Sequence, residues 1–201
     1  MALSNTQSSY GSVTKTFHWL TALLILTAIP LGLIANQLPV TPEMLGIKAL
    51  LFSAHKTVGI AAFLVAVLRI LWAWARPTPA PLHPTRRAET YLAELVHWLL
   101  YASLVLVPLS GWIHRAATDG FAPIWWPVCQ YLPLVPTSET VAGIFAGIHF
   151  VVTNVLALSI FLHIAGAVKH VVIDKDGTLR RMWPGGGSVD AAPGRADDSS
   201  F

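Results

Sequence analysis

The sequence predicts an all-α integral membrane protein, built as a four-helix bundle. In a chain of 201 residues, hydrophobic residues make up 54% and charged residues only 11%, an imbalance typical of membrane proteins. Four apolar stretches are each about 20 residues or longer, enough to cross a hydrocarbon core of about 30 Å. The formal net charge is only +3. A lipid bilayer is therefore the expected environment, and no nucleic-acid partner is expected.

The apolar stretches place the predicted spans at residues 16–35, 49–75, 91–114 and 141–172. Pro30 and Pro108 lie inside the first and third spans, where membrane helices tolerate proline with a kink. Residues 36–48 and the proline-rich residues 76–90 are expected to be loops. Three regions follow: a polar N-terminal segment at 1–13, the four-helix domain at 14–184, and a Gly/Ser/Asp-rich tail at 185–201 that is expected to be disordered. The N-terminus lacks the features of a cleaved signal peptide, so the first span is expected to be retained.

The distribution of lysine and arginine predicts the orientation, because basic residues accumulate on the cytoplasmic side. Nine fall on the side of the two termini: Lys15, Arg76, Arg86, Arg87, Lys169, Lys175, Arg180, Arg181 and Arg195. Three fall on the other side, Lys48, Lys56 and Arg115, and Arg69 lies inside span two. Both termini of this multi-pass protein are therefore expected in the cytoplasm; in a Gram-negative host the membrane would be the inner membrane and the other side the periplasm.

The fourth span carries the most informative pattern. His149 and His163 are fourteen residues apart, which corresponds to about 21 Å along a helix axis and only about 40° around it. One helix face therefore presents an imidazole near each end of a membrane-length span. Imidazole is costly in hydrocarbon unless its nitrogens have partners.

The alternating direction of the four helices predicts which histidines meet. His18 near the start of span one and His163 share the inner depth, whereas His55 near the start of span two and His149 share the outer depth. Haem iron accepts axial imidazoles, and helix bundles hold cofactors between facing side chains. Zinc is the rival, but neither depth offers an obvious carboxylate or thiol to complete its ligands. Copper also lacks a nearby cysteine or methionine. Two haems are therefore predicted, with His18 and His163 as inner and His55 and His149 as outer axial ligands.

Other residues lie close to these depths. Gly59, one turn after His55, and Gly166, three residues after His163, leave room for a porphyrin or for helix contact. Arg69 is expected either to pair with a haem propionate or to extend to the cytoplasmic surface. His97 is a weaker candidate near the inner haem, and His114 is expected at the outer interface. His83 is expected to be solvated.

At this point the sequence resembles the bacterial cytochrome b561 family of di-haem membrane proteins. The matching residues are Phe17-His18-Trp19, His55 with Gly59, Arg69, Pro108 with Gly111, His149, His163 and the stretch Lys175-Asp176-Gly177-Thr178-Leu179-Arg180-Arg181-Met182. The resemblance covers roughly residues 12–184. It implies two b-type haems with the pairing given above.

The resemblance also implies a function, because some members are similar to superoxide oxidases. They take an electron from superoxide at the periplasmic face and reduce ubiquinone in the membrane. By position, the candidate quinone residues are Thr16, Arg86, Arg87 and His170, and the last could supply a proton. Lys48, Lys56 and Arg115 could attract superoxide, although the apolar loop at 115–140 is not strongly basic. Two alternatives stay open: a non-catalytic electron-transfer subunit serving a partner dehydrogenase or hydrogenase, and a histidine-based metal or proton transporter.

Overall fold

All the regular elements that the structure describes are helices. A computed structural model describes residues 2–6, 8–83, 85–118, 121–126 and 135–186. The long helices are α1 (Ser12–Gln37), α2 (Pro42–Trp74), α3 (Arg87–Ala116) and α4 (Glu139–Lys169). A π-helical turn (His170–Asp174) continues α4, and a short helix α5 (Thr178–Met182) follows. Four helices, the last counted as Glu139–Asp174, are long and apolar enough to cross a membrane, which confirms the predicted all-α, four-span fold.

The helices begin earlier than the apolar stretches indicate. Helix α2 starts at Pro42, inside the expected loop 36–48, which is thereby reduced to residues 38–41. Proline suits a first helical position because its missing N–H has no partner there and its φ is already helical. Helix α3 starts at Arg87 rather than near residue 91. Hydropathy marks the part of a helix that lies in lipid and misses the polar turns that extend beyond it.

The bundle consists of two helical hairpins. The closest packing joins α1 with α2 and α3 with α4, while α2 and α3 contact each other less. Small residues occupy the interior, including Thr21, Ala62, Ala66, Ser103 and Ser159. Large apolar side chains such as Leu26 and Phe161 point outward, as expected for a surface that faces lipid.

Three segments interlock at the end of the bundle that carries both termini, here called the terminal face. The buried guanidinium of Arg181 donates to the carbonyls of Ser8 and Ala80, at 3.0 and 2.8 Å. The Lys15 ammonium donates to the Gly186 carbonyl at 2.6 Å. The N-terminal segment, the α2–α3 loop and the C-terminal region are thereby held together. Residues 187–201, most of the tail expected to be disordered, lie outside the described residues.

The opposite end of the bundle, here called the loop face, carries residues 121–126 folded against α2. The Lys56 ammonium donates to the carbonyls of Phe121 and Ala122 at 2.8 and 2.9 Å. The Trp125 N–H donates to the Thr57 hydroxyl at 3.0 Å. This segment therefore lies next to the expected outer histidine, His55.

Candidate haem-binding site

The four membrane histidines meet in two pairs. The ring centroids of His18 and His163 lie 6.1 Å apart with an interplanar angle of 53°. Those of His55 and His149 lie 6.3 Å apart with an angle of 85°. These are the same partners that helix depth and direction predict. The first pair, here called the inner pair, lies toward the terminal face, and the second, the outer pair, lies toward the loop face.

The separation within each pair fits one iron atom. Two iron–nitrogen bonds of about 2 Å, plus roughly 1.1 Å from each nitrogen to its ring centre, put axial imidazole centroids about 6.2 Å apart. Both pairs come within 0.1 Å of that spacing. All four rings are half-buried. The residues present therefore fit two bis-histidine haems.

Backbone carbonyls orient the outer pair. The Nδ1–H of His55 donates to the Ala28 carbonyl of α1 at 2.8 Å. The Nδ1–H of His149 donates to the Val107 carbonyl of α3 at 2.9 Å, with the Ser110 hydroxyl oxygen 3.2 Å away. A hydrogen bond at Nδ1 fixes the tautomer and leaves the Nε2 lone pair for a metal. Each outer histidine is thus held by the other helix of its own hairpin.

Two glycines make these close approaches possible. A Cβ at Gly32 would lie 2.8 Å from the His55 ring, and a Cβ at Gly111 would lie 3.0 Å from the His149 ring. Gly32 lies four residues after Ala28 and Gly111 four residues after Val107, so each glycine is one turn beyond the accepting carbonyl. Sequence reasoning missed Gly32 and the accepting carbonyls, because their roles depend on how one helix is rotated against the next.

Side chains, rather than carbonyls, surround the inner pair. An Arg69 guanidinium nitrogen lies 3.3 Å from His18 Nδ1, and the guanidinium carbon lies 5.5 Å from the centre of the Tyr101 ring. Trp19 meets the His18 ring edge-on at 5.4 Å. Arg69 therefore lies beside an inner histidine and does not extend to the surface in this structure.

The remaining span histidines have other partners. The His97 ring lies 5.2 Å from the His163 ring, and its Nδ1–H donates within its own helix to the Ala93 carbonyl. The His114 Nδ1–H donates to the Ala142 carbonyl at 2.9 Å. A Cβ built at Gly59 or Gly166 meets nothing within 4 Å, so either position has space beside its helix.

The candidate quinone residues fall into two places at the terminal face. His170 and Arg86 share one acidic cluster, since both contact Asp174, at 3.2 and 2.8 Å. Thr16 instead lines a groove of about 200 Å³ together with Lys15, Trp19 and Pro184. Arg87 is exposed at the start of α3.

His83, which is expected to be solvated, keeps 35% of its side chain exposed but also has a protein partner. Its Nε2 lies 3.0 Å from an Asp176 carboxylate oxygen, and its ring stacks parallel to the His170 ring at 6.5 Å. Ninety-three residues separate His83 from Asp176, so sequence spacing gave no signal of this contact.

Comparison with known proteins identifies the family of the chain. Residues 9–185 match the sequence profile of the prokaryotic cytochrome b561 family. The chain belongs to that family. It is therefore a multi-pass membrane electron-transfer protein, and its family implies b-type haem.

Three relatives are similar to this chain over most of its length. The "Cytochrome b561 homolog 2" of Escherichia coli (strain K12) is 32% identical over 194 residues, covering 90% of this chain and 95% of the relative. The "Cytochrome b561 homolog 1" of the same organism is 24% identical, covering 83% and 92%. The "Probable superoxide oxidase CybB" of Yersinia pestis is 26% identical, covering 87% and 96%. The family match at residues 9–185 includes all four membrane helices.

Proposed function

We propose that the protein is a di-haem b-type cytochrome that transfers electrons across the bacterial inner membrane, with both termini in the cytoplasm. The observation that carries this proposal is the arrangement of four histidines as two pairs at different depths. In each pair the distance between the ring centroids suits two axial ligands of one iron atom. His18 and His163 would hold the inner haem, and His55 and His149 the outer haem. When bound, the haems supply the one-electron redox change, and the protein supplies ligation, orientation and local charge.

The most specific form of the proposal is a superoxide:ubiquinone oxidoreductase. Two superoxide anions would each release one electron and leave as dioxygen at the periplasmic face. One ubiquinone would accept both electrons and two protons to become ubiquinol. The name of the Yersinia pestis relative supports the choice of superoxide.

The chain provides a cation at the entry side. Lys56 follows the outer ligand His55 directly, and its ammonium lies at the loop face against the carbonyls of residues 121 and 122. A positive charge there would raise the local concentration of an anionic substrate. Arg115 is buried and Lys48 lies seven residues before His55, so Lys56 is the exposed-side cation nearest to the outer ligand along the chain.

At the terminal face, His170 is the best supported of the proposed quinone residues. It lies two turns beyond His163, at the start of the π-helical turn that continues α4. Its Nδ1 faces carboxylates, which leaves Nε2 as the nitrogen for a quinone carbonyl. Thr16, Arg86 and Arg87 complete the proposed quinone region.

The test is superoxide-dependent quinone reduction by purified, haem-loaded protein. A superoxide-generating system and a soluble ubiquinone analogue are mixed with the protein in detergent, and quinol formation is followed as the loss of the ultraviolet band of the oxidised quinone. Quinol formation that superoxide dismutase abolishes is the expected result. Reduction that persists with dismutase present, or that equals a haem-free control, would contradict the superoxide assignment.

A second candidate function has its own support. Residues 121–126 expose Phe121, Trp125 and Trp126 at the loop face, and this apolar surface suits a protein partner better than a small anion. The protein would then be an electron-transfer subunit that accepts electrons from a docked dehydrogenase or other redox protein. Membership of a cytochrome family argues against the third interpretation, a metal or proton transporter.

A further inference from the structure

A cluster of histidines and aspartates closes the terminal end of α4. Here the helix changes to the π-helical turn His170–Asp174, and Lys175 then adopts a left-handed conformation with φ 52°. π turns recur at functional sites, and a lysine at positive φ is locally unfavourable. Together they turn His170, Asp174 and Asp176 toward one point, where one donor atom from each lies within 4.8 Å of the others.

A fourth donor comes from a distant part of the chain. His83, in the loop between α2 and α3, directs Nε2 to the same Asp176 oxygen that faces His170 Nδ1, at 3.0 and 2.8 Å. The second carboxylate, Asp174, lies 3.2 Å from His170 Nδ1. In a tetrahedral zinc site with bonds of about 2.0–2.1 Å, neighbouring ligand atoms are about 3.3 Å apart. The three contacts above are close to that spacing, whereas His83 lies outside the group whose donor atoms are all within 4.8 Å of one another and would have to move toward His170 and Asp174.

The two carboxylates differ in their neighbours. Asp174 is paired with the Lys169 ammonium and the Arg86 guanidinium, both at 2.8 Å. Asp176 instead accepts hydrogen bonds from both imidazoles and from the Thr178 N–H at 2.8 Å. Burial alone would raise the pKa of Asp176, but the hydrogen bonds from Thr178, His170 and His83 outweigh it and lower that pKa. Asp176 is therefore ionised at neutral pH, as a metal ligand must be.

We propose that His83 Nε2, His170 Nδ1 and the Asp176 carboxylate bind a divalent transition-metal ion of the zinc class, with Asp174 as fourth ligand. Mixed imidazole and carboxylate donors suit zinc. The Lys169 ammonium contacts an Asp174 oxygen at 2.8 Å, so a bound ion would displace this ammonium. A bound ion would link the α2–α3 loop, through His83, to the end of α4, through His170. This site is separate from the four membrane histidines and uses Nδ1 of His170, the nitrogen not assigned to quinone.

The test is equilibrium dialysis of tag-free, haem-loaded protein against radioactive Zn²⁺. We expect one Zn²⁺ per chain beyond the amount bound by Asp176→Asn. His83→Gln and Asp176→Asn should each weaken binding by about tenfold or more, since even outer partners of a metal site contribute that much. Lys169→Gln should strengthen binding severalfold, because it removes the cation that competes for Asp174.

Controls separate a lost site from a lost fold. His114→Gln, a histidine substitution at the opposite membrane face, should bind Zn²⁺ like the parent protein. The haem absorbance per chain should be unchanged in every variant used. Binding that is absent in the parent protein, or unaffected by His83→Gln, would overturn the proposal. Weaker Zn²⁺ binding in Lys169→Gln would also overturn the proposal. That result would mean that Lys169 stabilises the cluster through its ion pairs and does not compete with the ion for Asp174. Because Zn²⁺ binding is measured without electron transfer, its failure would leave the proposed function untouched.

Discussion

The inner and outer histidine pairs have nearly the same spacing but are held in different ways. In the outer pair, each Nδ1–H donates to a carbonyl of the neighbouring helix, and a glycine lies under the ring. In the inner pair, His18 faces the Arg69 guanidinium and His163 faces the His97 ring. The outer pair is therefore positioned by backbone, whereas the inner pair lies among side chains with a nearby positive charge.

This difference bears on the direction of electron flow. A cation beside a haem favours the reduced iron, which carries one positive charge less than the oxidised iron. Arg69 is therefore expected to raise the potential of the inner haem. A raised inner potential favours the movement of electrons from the loop face toward the terminal face, the direction that quinone reduction requires.

The largest expected effect is the loss of one haem from either pair. His55→Ala should remove the outer haem and His163→Ala the inner haem, since each change deletes an axial ligand. Haem per chain, measured as the pyridine complex, should fall from two to one in either variant. The His114→Ala variant serves as the control and should keep both haems. Full haem content in His55→Ala or His163→Ala would show that the pairs are assigned wrongly.

A smaller change should affect the outer pair alone. Gly32→Ala places a Cβ 2.8 Å from the His55 ring, and overpacking of this kind costs about 1–3 kcal/mol. The outer haem should therefore dissociate about tenfold more readily, while the inner haem is retained. Gly143→Ala is the matched control, because a Cβ there meets nothing within 4 Å. Equal haem retention in the two variants would mean that close packing at Gly32 is not needed.

The third prediction concerns the charge at the inner pair. Arg69→Gln should lower the midpoint potential of the inner haem by on the order of 50 mV, the size expected for one charge several ångströms away at a moderate effective dielectric constant. Arg69→Lys should restore most of that shift, and the outer potential should not change. A redox titration followed in the visible spectrum gives both values. Equal shifts of both haems would rule out a local effect of Arg69.

The smallest effect is expected at Ser110. Its hydroxyl lies 3.2 Å from His149 Nδ1, but the Val107 carbonyl lies closer, at 2.9 Å. Ser110→Ala should therefore cost about 1 kcal/mol or less in outer haem affinity. Haem transfer to apomyoglobin measures this loss. A loss as large as that of His149→Ala would mean that the hydroxyl, and not the carbonyl, orients the ring.

The sequence was sufficient to predict the four helices and the histidine partners, because span length, helix direction and depth follow from hydropathy and spacing. It was less informative about helix ends: Pro42 and Arg87 begin helices inside expected loops. It also gave no indication of Gly32, whose role depends on the rotation of α1 against α2. The contact between His83 and Asp176 could not be predicted for a similar reason. The loop that carries His83 and the segment that carries Asp176 are distant in sequence and meet only in the folded chain.

The most direct test of the central claim is low-temperature electron paramagnetic resonance of the oxidised protein, with haem quantified per chain. Two bis-histidine haems predict two low-spin ferric signals of equal weight, one of which disappears in His55→Ala and the other in His163→Ala. A single signal in the parent protein, or a dominant high-spin signal from an iron with one histidine ligand, would contradict the account.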